Sequence, residues 1–324
     1  MRRQLRAVIV LALPVAAWAA GLAIGSVRLS ASELWSALQL EPGLASDIVW
    51  GLRAPRVAAA FCAGGLLAVA GAFMQALLRN PLADPYIFGV SGGAALGVLL
   101  AMVLGLGSGA GAGLGFAGAA SMALLVALLA YRAGDWNPFR LLLVGVVVAA
   151  GLNALISLLL TLAPGSAVKG MLFWLMGDLT YARVPGVEAA LLLGLVLLGG
   201  AAGQAINVLG LGRLKAASLG VEVNRLELAL YAGAAAATTG AVLLGGTIGF
   251  VGLIVPHLVR LVGVHDYRAL VPLSAVVGGS LLTLADTAAR SVWAPIQLPT
   301  GILTALIGVP VLLLLVSARS DAAR

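Results

Sequence analysis

The chain is poor in the residues from which catalytic centres are made. Its 324 positions include two histidines, His257 and His265, one cysteine, Cys62, and two lysines, Lys169 and Lys215. A single cysteine allows no intrachain disulfide, and in an apolar run it reads as a small core residue. Neither histidine has cysteine or carboxylate companions at metal-ligand spacing, and no Ser/His/Asp set is suggested. No G-x-x-x-x-G-K-[ST] phosphate loop occurs, which excludes ATP hydrolysis by that chemistry. Charge is scarce altogether. Charged residues make up 10% of the chain, where a soluble domain carries about 25%.

What the chain has instead is apolar length. Hydrophobic residues are 62% of the sequence and the mean hydropathy is +1.11, so most of the surface must face lipid. The net charge of +7 does not point to nucleic acid, because the basic residues stand singly between apolar runs. Arg2, Arg3 and Arg6 ahead of an apolar stretch, with Ala17-Trp18-Ala19, imitate a cleavable signal. The run is long for a signal core, so we read an uncleaved first span.

A span needs about 20 apolar residues. Such runs occur at Leu5 to Ile24, Val57 to Leu77, Ile87 to Leu106, Gly113 to Tyr131 and Phe139 to Leu162. The second half adds five more, at Val187 to Val208, Leu226 to Gly245, Ile248 to Val264, Leu270 to Ala288 and Gly301 to Val316. The expectation is an all-α polytopic membrane protein of about ten transmembrane helices, one domain over residues 1–324. With both termini inside, thirteen basic residues fall on the inner side and six (Arg28, Arg53, Arg56, Lys169, Arg183, Arg290) on the outer. That bias makes the termini cytoplasmic. A further piece, Pro164 to Arg183, is too short to span and reads either as a re-entrant or interfacial helix with Trp174 at the headgroups, or as packing beneath a loop.

Two stretches break the helical pattern. In Arg79-Asn80-Pro81-Leu82-Ala83-Asp84-Pro85, prolines four residues apart cannot share an unbroken helix. The adjoining segment, through Gly89 and Gly93 to Gly97, is apolar and glycine-rich, suited to close helix contact. We read Asn80, Pro81, Pro85 and Gly89 as hinge and packing positions. The second stretch, Gly245 to Arg260, contains Pro256, which should kink its helix. The two reflect either a faint internal repeat of a Gly/Pro-interrupted segment in each half, or only the alanine- and glycine-rich composition.

Asp286 has Arg290 four residues on, hence on the same helix face. Arg290, Arg53 and Arg56 together read either as a docking surface for carboxylates or as headgroup contacts. Scarce acidic residues within the spans argue against an ion-coupled secondary transporter, the alternative from another class. A receptor or scaffold role lacks a soluble sensing domain.

Taken in order, Arg79-Asn80-Pro81-Leu82-Ala83-Asp84-Pro85 with Gly89-Val90-Ser91, then Gly249-Phe250-Val251-Gly252-Leu253-Ile254-Val255-Pro256-His257-Leu258-Val259-Arg260, Leu284-Ala285-Asp286 and Leu298-Pro299-Thr300-Gly301 resemble the FecCD-type permeases. These are membrane subunits of ATP-binding-cassette importers for iron-siderophores, haem and cobalamin, of type II importer architecture. The resemblance implies a homodimer of ten-helix permeases, two cytoplasmic ATPases that bind ATP and Mg, an extracytoplasmic binding protein, and no cofactor in this chain. It implies the cell inner membrane as the location, with iron-siderophore or haem ahead of cobalamin as cargo. It assigns docking of the binding protein to Arg53, Arg56 and Arg290. It places ATPase coupling in the 207–225 loop, at Gly212, Leu214, Ala216, Leu219, Gly220 and Val221, where Arg213 and Lys215 replace the acidic residues common in relatives. A cytoplasmic gate is implied at Asn137, Pro138 and Phe139, although the last two depart from the family's small hydroxyl residues.

Overall fold

A chain that crosses lipid must satisfy its peptide groups within each segment, and this one is helical almost throughout. The computed structural model describes residues 2–132, 135–180 and 182–322, with side chains over 12–131, 137, 139–180 and 182–314. The side chains of Arg2, Arg3, Arg6, Arg132, Arg319, Arg324 and Pro138 lie outside the described ones. The helices are α1 (Arg2–Ala23), α2 (Ala31–Leu38), α3 (Leu44–Ser46), α4 (Ala54–Leu77), α5 (Val90–Val103), α6 (Ser108–Ala130), α7 (Pro138–Leu162) and α8 (Gly165–Leu175). They continue as α9 (Gly186–Ala201), α10 (Gly203–Leu209), α11 (Arg213–Ser218), α12 (Val223–Gly245), α13 (Val251–Leu261), α14 (Tyr267–Ser291) and α15 (Thr300–Ala322). A π-helical turn, Asp47–Arg53, leads into α4, and Tyr131–Arg132 pairs antiparallel with Asp135–Trp136 between α6 and α7.

Small residues decide the packing. α4 is rich in alanine and glycine and is buried on all sides from Val57 to Leu77 apart from Ala58 and Phe61. It is the central helix, packed by α14, α12, α13 and α9. α5, α6 and α7 form a second cluster joined to the first through α12. Within that cluster, Gly93 and Gly97 let α5 lie directly on α6: a Cβ at Gly93 would come 2.4 Å from the carbonyl oxygen of Gly118, and one at Gly97 2.2 Å from that of Leu114. The pair thus serves packing inside one chain.

Each of the ten expected spans has its helix, with informative differences. Among the described residues, five stretches are long and apolar enough to cross a membrane: Leu44–Leu77, Ser108–Ala130, Phe139–Leu162, Val223–Gly245 and Tyr267–Ser291. α9 and α10 make a sixth only as a pair bent by 61°, the bend falling where Gly203 meets the backbone of Arg268 at the start of α14. The third expected span begins at Val90 instead of Ile87, and the eighth shrinks to the 11 residues of α13. At 1.5 Å per residue α13 covers about 16 Å, roughly half a hydrocarbon core.

Candidate functional site

The two shortened helices begin close together. Asp84 caps a short 3-10 turn, Pro85–Phe88, by accepting a hydrogen bond from the Tyr86 amide at 2.8 Å, and Gly89 turns the chain into α5 with φ 71°. Phe250 turns it into α13 with φ 70°, a left-handed conformation that is uncommon for an aromatic residue. The Tyr86 hydroxyl joins the two breaks, donating to the Ile248 carbonyl at 2.9 Å and accepting from the Ile248 amide at 3.0 Å. No sequence pattern singled out Tyr86. It was legible only as an aromatic residue after a proline.

Pro256 lies inside α13 and has no amide to offer the Gly252 carbonyl one turn earlier. That carbonyl rests on Gly71 of α4, so closely that a Cβ at Gly71 would come within 1.7 Å of its oxygen. Gln75, one turn further along α4, donates to the Leu253 carbonyl at 3.0 Å and accepts from Arg260, which also donates to the Tyr267 hydroxyl at 2.9 Å. Pro256, Gly71 and Gln75 therefore act as one packing unit. Asn80 Oδ1 accepts from the Leu82 amide at 3.0 Å and so orders the turn that contains Pro81.

One end of the bundle is held by the three arginines. Arg56 makes a forked contact with Asp286, its Nε 3.1 and 2.9 Å from the two carboxylate oxygens and its Nη2 at 2.8 Å, and also donates to Gln297 at 2.8 Å. Thr300, at the start of α15, donates to Asp286 at 2.9 Å. Arg53 donates to the carbonyls of Leu22 (2.6 Å) and Ala23 (2.8 Å) at the end of α1 and to that of Val27 (2.5 Å) in the loop beyond it. Arg290 donates to the Gly21 carbonyl and has its Nε 3.7 Å from Asp286. The picture of an outward-facing trio needs correction, because Arg53, Arg56 and Arg290 are 4%, 7% and 4% exposed. Helix ends leave orphan carbonyls and Asp286 supplies a buried carboxylate, so the guanidinium groups turn inward and tie α1, α4, α14 and α15 together. The exposed cations near that end are Arg28, Lys169 and Arg183. Sequence reasoning paired Asp286 with Arg290. The shorter pair, with Arg56, needed the α4–α14 contact to appear.

At the opposite end α11 projects from the bundle. Gly212 (φ 109°) and Gly220 (φ 84°) turn the chain on either side of it. Leu214 is 89% exposed, with Leu211 and Leu219 bare beside it, whereas Ala216 is buried and Val221 partly buried. Arg213 is not a free cation: it pairs with the buried Glu227 of α12 at 3.3 Å and donates to Asn224 at 2.8 Å. Lys215 is therefore the exposed charge of the helix itself. Nearby, Asp266 caps α14, and hydrogen bonds from Arg268 and then Asn207 hold its carboxyl well below the usual carboxylate range. Asn137 Oδ1 caps α7 through the amides of Phe139 and Arg140, and Phe139 stands exposed.

The chemistry available is that of packing, hinge and docking. Among the described residues no group of three His, Cys, Asp or Glu side chains is placed to hold a metal. Comparison with known proteins gives the same direction. The sequence profile of the FecCD transport family matches residues 12–318. A cobalamin import system permease, BtuC, from Halobacterium salinarum is 42% identical over 283 residues, which is 86% of this chain and 75% of that protein. A hemin transport system permease, HmuU, from Yersinia pestis is 35% identical over 309 residues, 92% of this chain and 91% of that one. A solved structure of a metal-chelate type ABC transporter in an inward-facing conformation superposes with a TM-score of 0.83 at 28% identity, covering 98% of this chain and 99% of the other.

Proposed function

The chain belongs to the FecCD transport family, and from that premise we propose that it is the permease subunit of an importer that carries an iron-siderophore or haem. Permeases of this family are multi-pass transport subunits of ABC importers and do no chemistry on their cargo. Cobalamin is the second reading, favoured by the likeness to a cobalamin permease. The observation that carries the importer reading is α11, a short apolar hook braced to α12 through Arg213 and Glu227, with Leu214 almost wholly bare. It fits a groove on a separate ATPase, whose motion a rigid brace would pass to α12.

In this reading a homodimer surrounds the pathway, with the α11 end and both termini in the cytoplasm and two ATPases beneath. The binding protein docks over the end closed by Arg53, Arg56 and Arg290. Because those groups are engaged inside the chain, the partner's carboxylates meet the exposed Arg28 and Arg183 first. Arg56 stays committed to Asp286 and offers a partner at most the Nη1 that Gln297 now accepts from. Gly212, Leu214, Ala216, Leu219, Gly220 and Val221 form the coupling element, and Asn137 to Phe139 the gate. ATP-dependent uptake into proteoliposomes containing the chain, its ATPase and its binding protein tests the reading, with iron-siderophore, haem and cobalamin side by side. Uptake of one cargo that vanishes without ATP or binding protein is the expected result. Uptake that persists without both would replace it with a secondary carrier.

A further inference from the structure

A cavity of about 780 Å³ lies between the α5–α6 turn, α8 and the 178–183 segment. α8 faces it with Ser166, Lys169, Gly170, Phe173 and Trp174, the spacing of a single helix face, while Met171 on its other side is fully buried. The opposite wall is apolar, from Val98, Met102 and Leu106. The charged groups lie on one side, Lys169 on α8 with Asp178 and Arg183 beside Thr180 and Gln297 at the rim, and the α5–α6 wall contributes only the Ser108 hydroxyl.

The charges are unequally engaged. Arg183 pairs with Glu188 at 2.5 Å, and Asp178 accepts from both the amide and the hydroxyl of Thr180, at 2.8 and 2.5 Å. Lys169 lies 5.9 Å from the centre of the Phe173 ring and, among the described residues, has no carboxylate partner. Thr180 and Gln297 lead directly to Arg56, so that the cavity and the network behind it hold five cations (Arg53, Arg56, Lys169, Arg183, Arg290) against three carboxylates (Asp178, Glu188, Asp286). A concave site with that balance of charge attracts anions, although the exposure of Lys169 and Arg183 leaves the attraction open to screening by salt. Its size falls within the range of small-molecule sites, which pair apolar walls with a few polar groups.

We propose that this cavity, contained within one subunit, binds an amphipathic anion, with its apolar body on the α5–α6 wall and an oxyanion on Lys169. Such a ligand comes either from solution, as a carboxylate-bearing macrocycle or chelate, or from the bilayer, as a lipid phosphate. The soluble form of the ligand is the cargo class of the proposed function and rests on that reading, whereas the lipid form concerns this cavity alone.

The test uses the full chain in phosphatidylcholine nanodiscs and the Soret shift of mesoporphyrin, a dicarboxylate, with protein-free nanodiscs subtracted. Saturable binding is expected. Lys169→Met should weaken it roughly tenfold, the value of one charge-assisted hydrogen bond, and Lys169→Arg should retain it. The dimethyl ester, lacking the anion, should bind weakly and equally to wild type and Lys169→Met. Ala112→Phe, which fills the apolar wall without touching charge, should also weaken mesoporphyrin. Phosphatidylglycerol nanodiscs distinguish the sources: suppression of mesoporphyrin binding there that Lys169→Met relieves identifies lipid phosphate as an occupant, and no suppression identifies a soluble anion. Lys169 is exposed, so its variants should fold normally. Dicarboxylate binding unchanged in Lys169→Met would overturn the placing of the oxyanion on Lys169, and binding unchanged in Ala112→Phe would overturn the cavity as the site.

Discussion

Removing the Asp286 carboxylate tests most directly whether the arginine end is a brace. Asp286 is 1% exposed and is shared by Arg56, Arg290 and Thr300. Asp286→Ala leaves the Arg56 guanidinium buried with only Gln297 and Thr180 as acceptors, and breaking a buried pair in this way costs about 3–5 kcal/mol. Asp286→Asn should recover little, since the amide cannot neutralise two guanidinium groups. Arg56→Met leaves the carboxylate with Thr300 and the more distant Arg290 and should cost less than Asp286→Ala. The double variant, Arg56→Met with Asp286→Ala, contains neither half of the short pair and should cost less than the sum of the two single variants. Coupling of about 1–3 kcal/mol is expected, with a remainder because Thr300 and Arg290 also lose a partner. Unfolding of the purified chain in mixed micelles of rising dodecyl sulfate content, followed by tryptophan emission, reads all four stabilities. A loss below about 1 kcal/mol in Asp286→Ala, the range of exposed pairs, would refute the brace and return these arginines to a surface role.

The hinge is expected to be least forgiving at Gly71, where Gly71→Ala drives a Cβ into the Gly252 carbonyl and should cost at least about 3 kcal/mol, while Gly194→Ala, with no atom within 4 Å, should be neutral in the same unfolding assay. Tyr86→Phe leaves both polar groups of Ile248 without their partner, a loss of about 1–3 kcal/mol; an unchanged midpoint would remove Tyr86 from the junction. Leu214→Glu should abolish cargo-stimulated ATP hydrolysis by the reconstituted importer without lowering the stability of the isolated chain, because the side chain makes little contact within it; retained stimulation would take α11 out of coupling. Asp266 has a lowered folded-state pKa, so its contribution is present above about pH 4, the unfolded carboxylate value, and disappears as pH falls toward the folded value. Asp266→Asn should therefore lower stability at neutral pH and flatten the acid limb of the profile, and an acid limb as steep as that of the wild type would exclude this carboxyl as its source.

Class and element placement were decided by local properties of the sequence. Apolar run length gave the helices, and paired prolines at Pro81 and Pro85 with glycine at Gly89 gave the break, because these act through their own backbone whatever surrounds them. A short amphipathic element in the 207–225 segment was legible for the same reason, and Gly212 and Gly220 turn the chain on either side of it. Span length was not legible at α13, since residues 246–250 are apolar enough to continue a helix. Contacts of Ile248 with Tyr86, and of Gly246 and Thr247 with the end of α8, hold them as a turn.

The arginines mark the boundary between the two kinds of information. Their number and their place at helix ends are in the sequence, but direction is not. Arg56 meets a carboxylate 230 positions away and Arg290 a carbonyl 269 positions away. A guanidinium at a helix end will take either solvent or a buried acceptor, and the free-energy difference depends on whether another helix brings that acceptor within reach. The sequence by itself determined a helical, membrane-embedded chain without catalytic chemistry. Tertiary structure alone decided that Arg53, Arg56 and Arg290 face inward, that Arg213 is paired, and that Lys169 faces a cavity between α8 and the α5–α6 turn, because each depends on contacts between segments that no local pattern encodes.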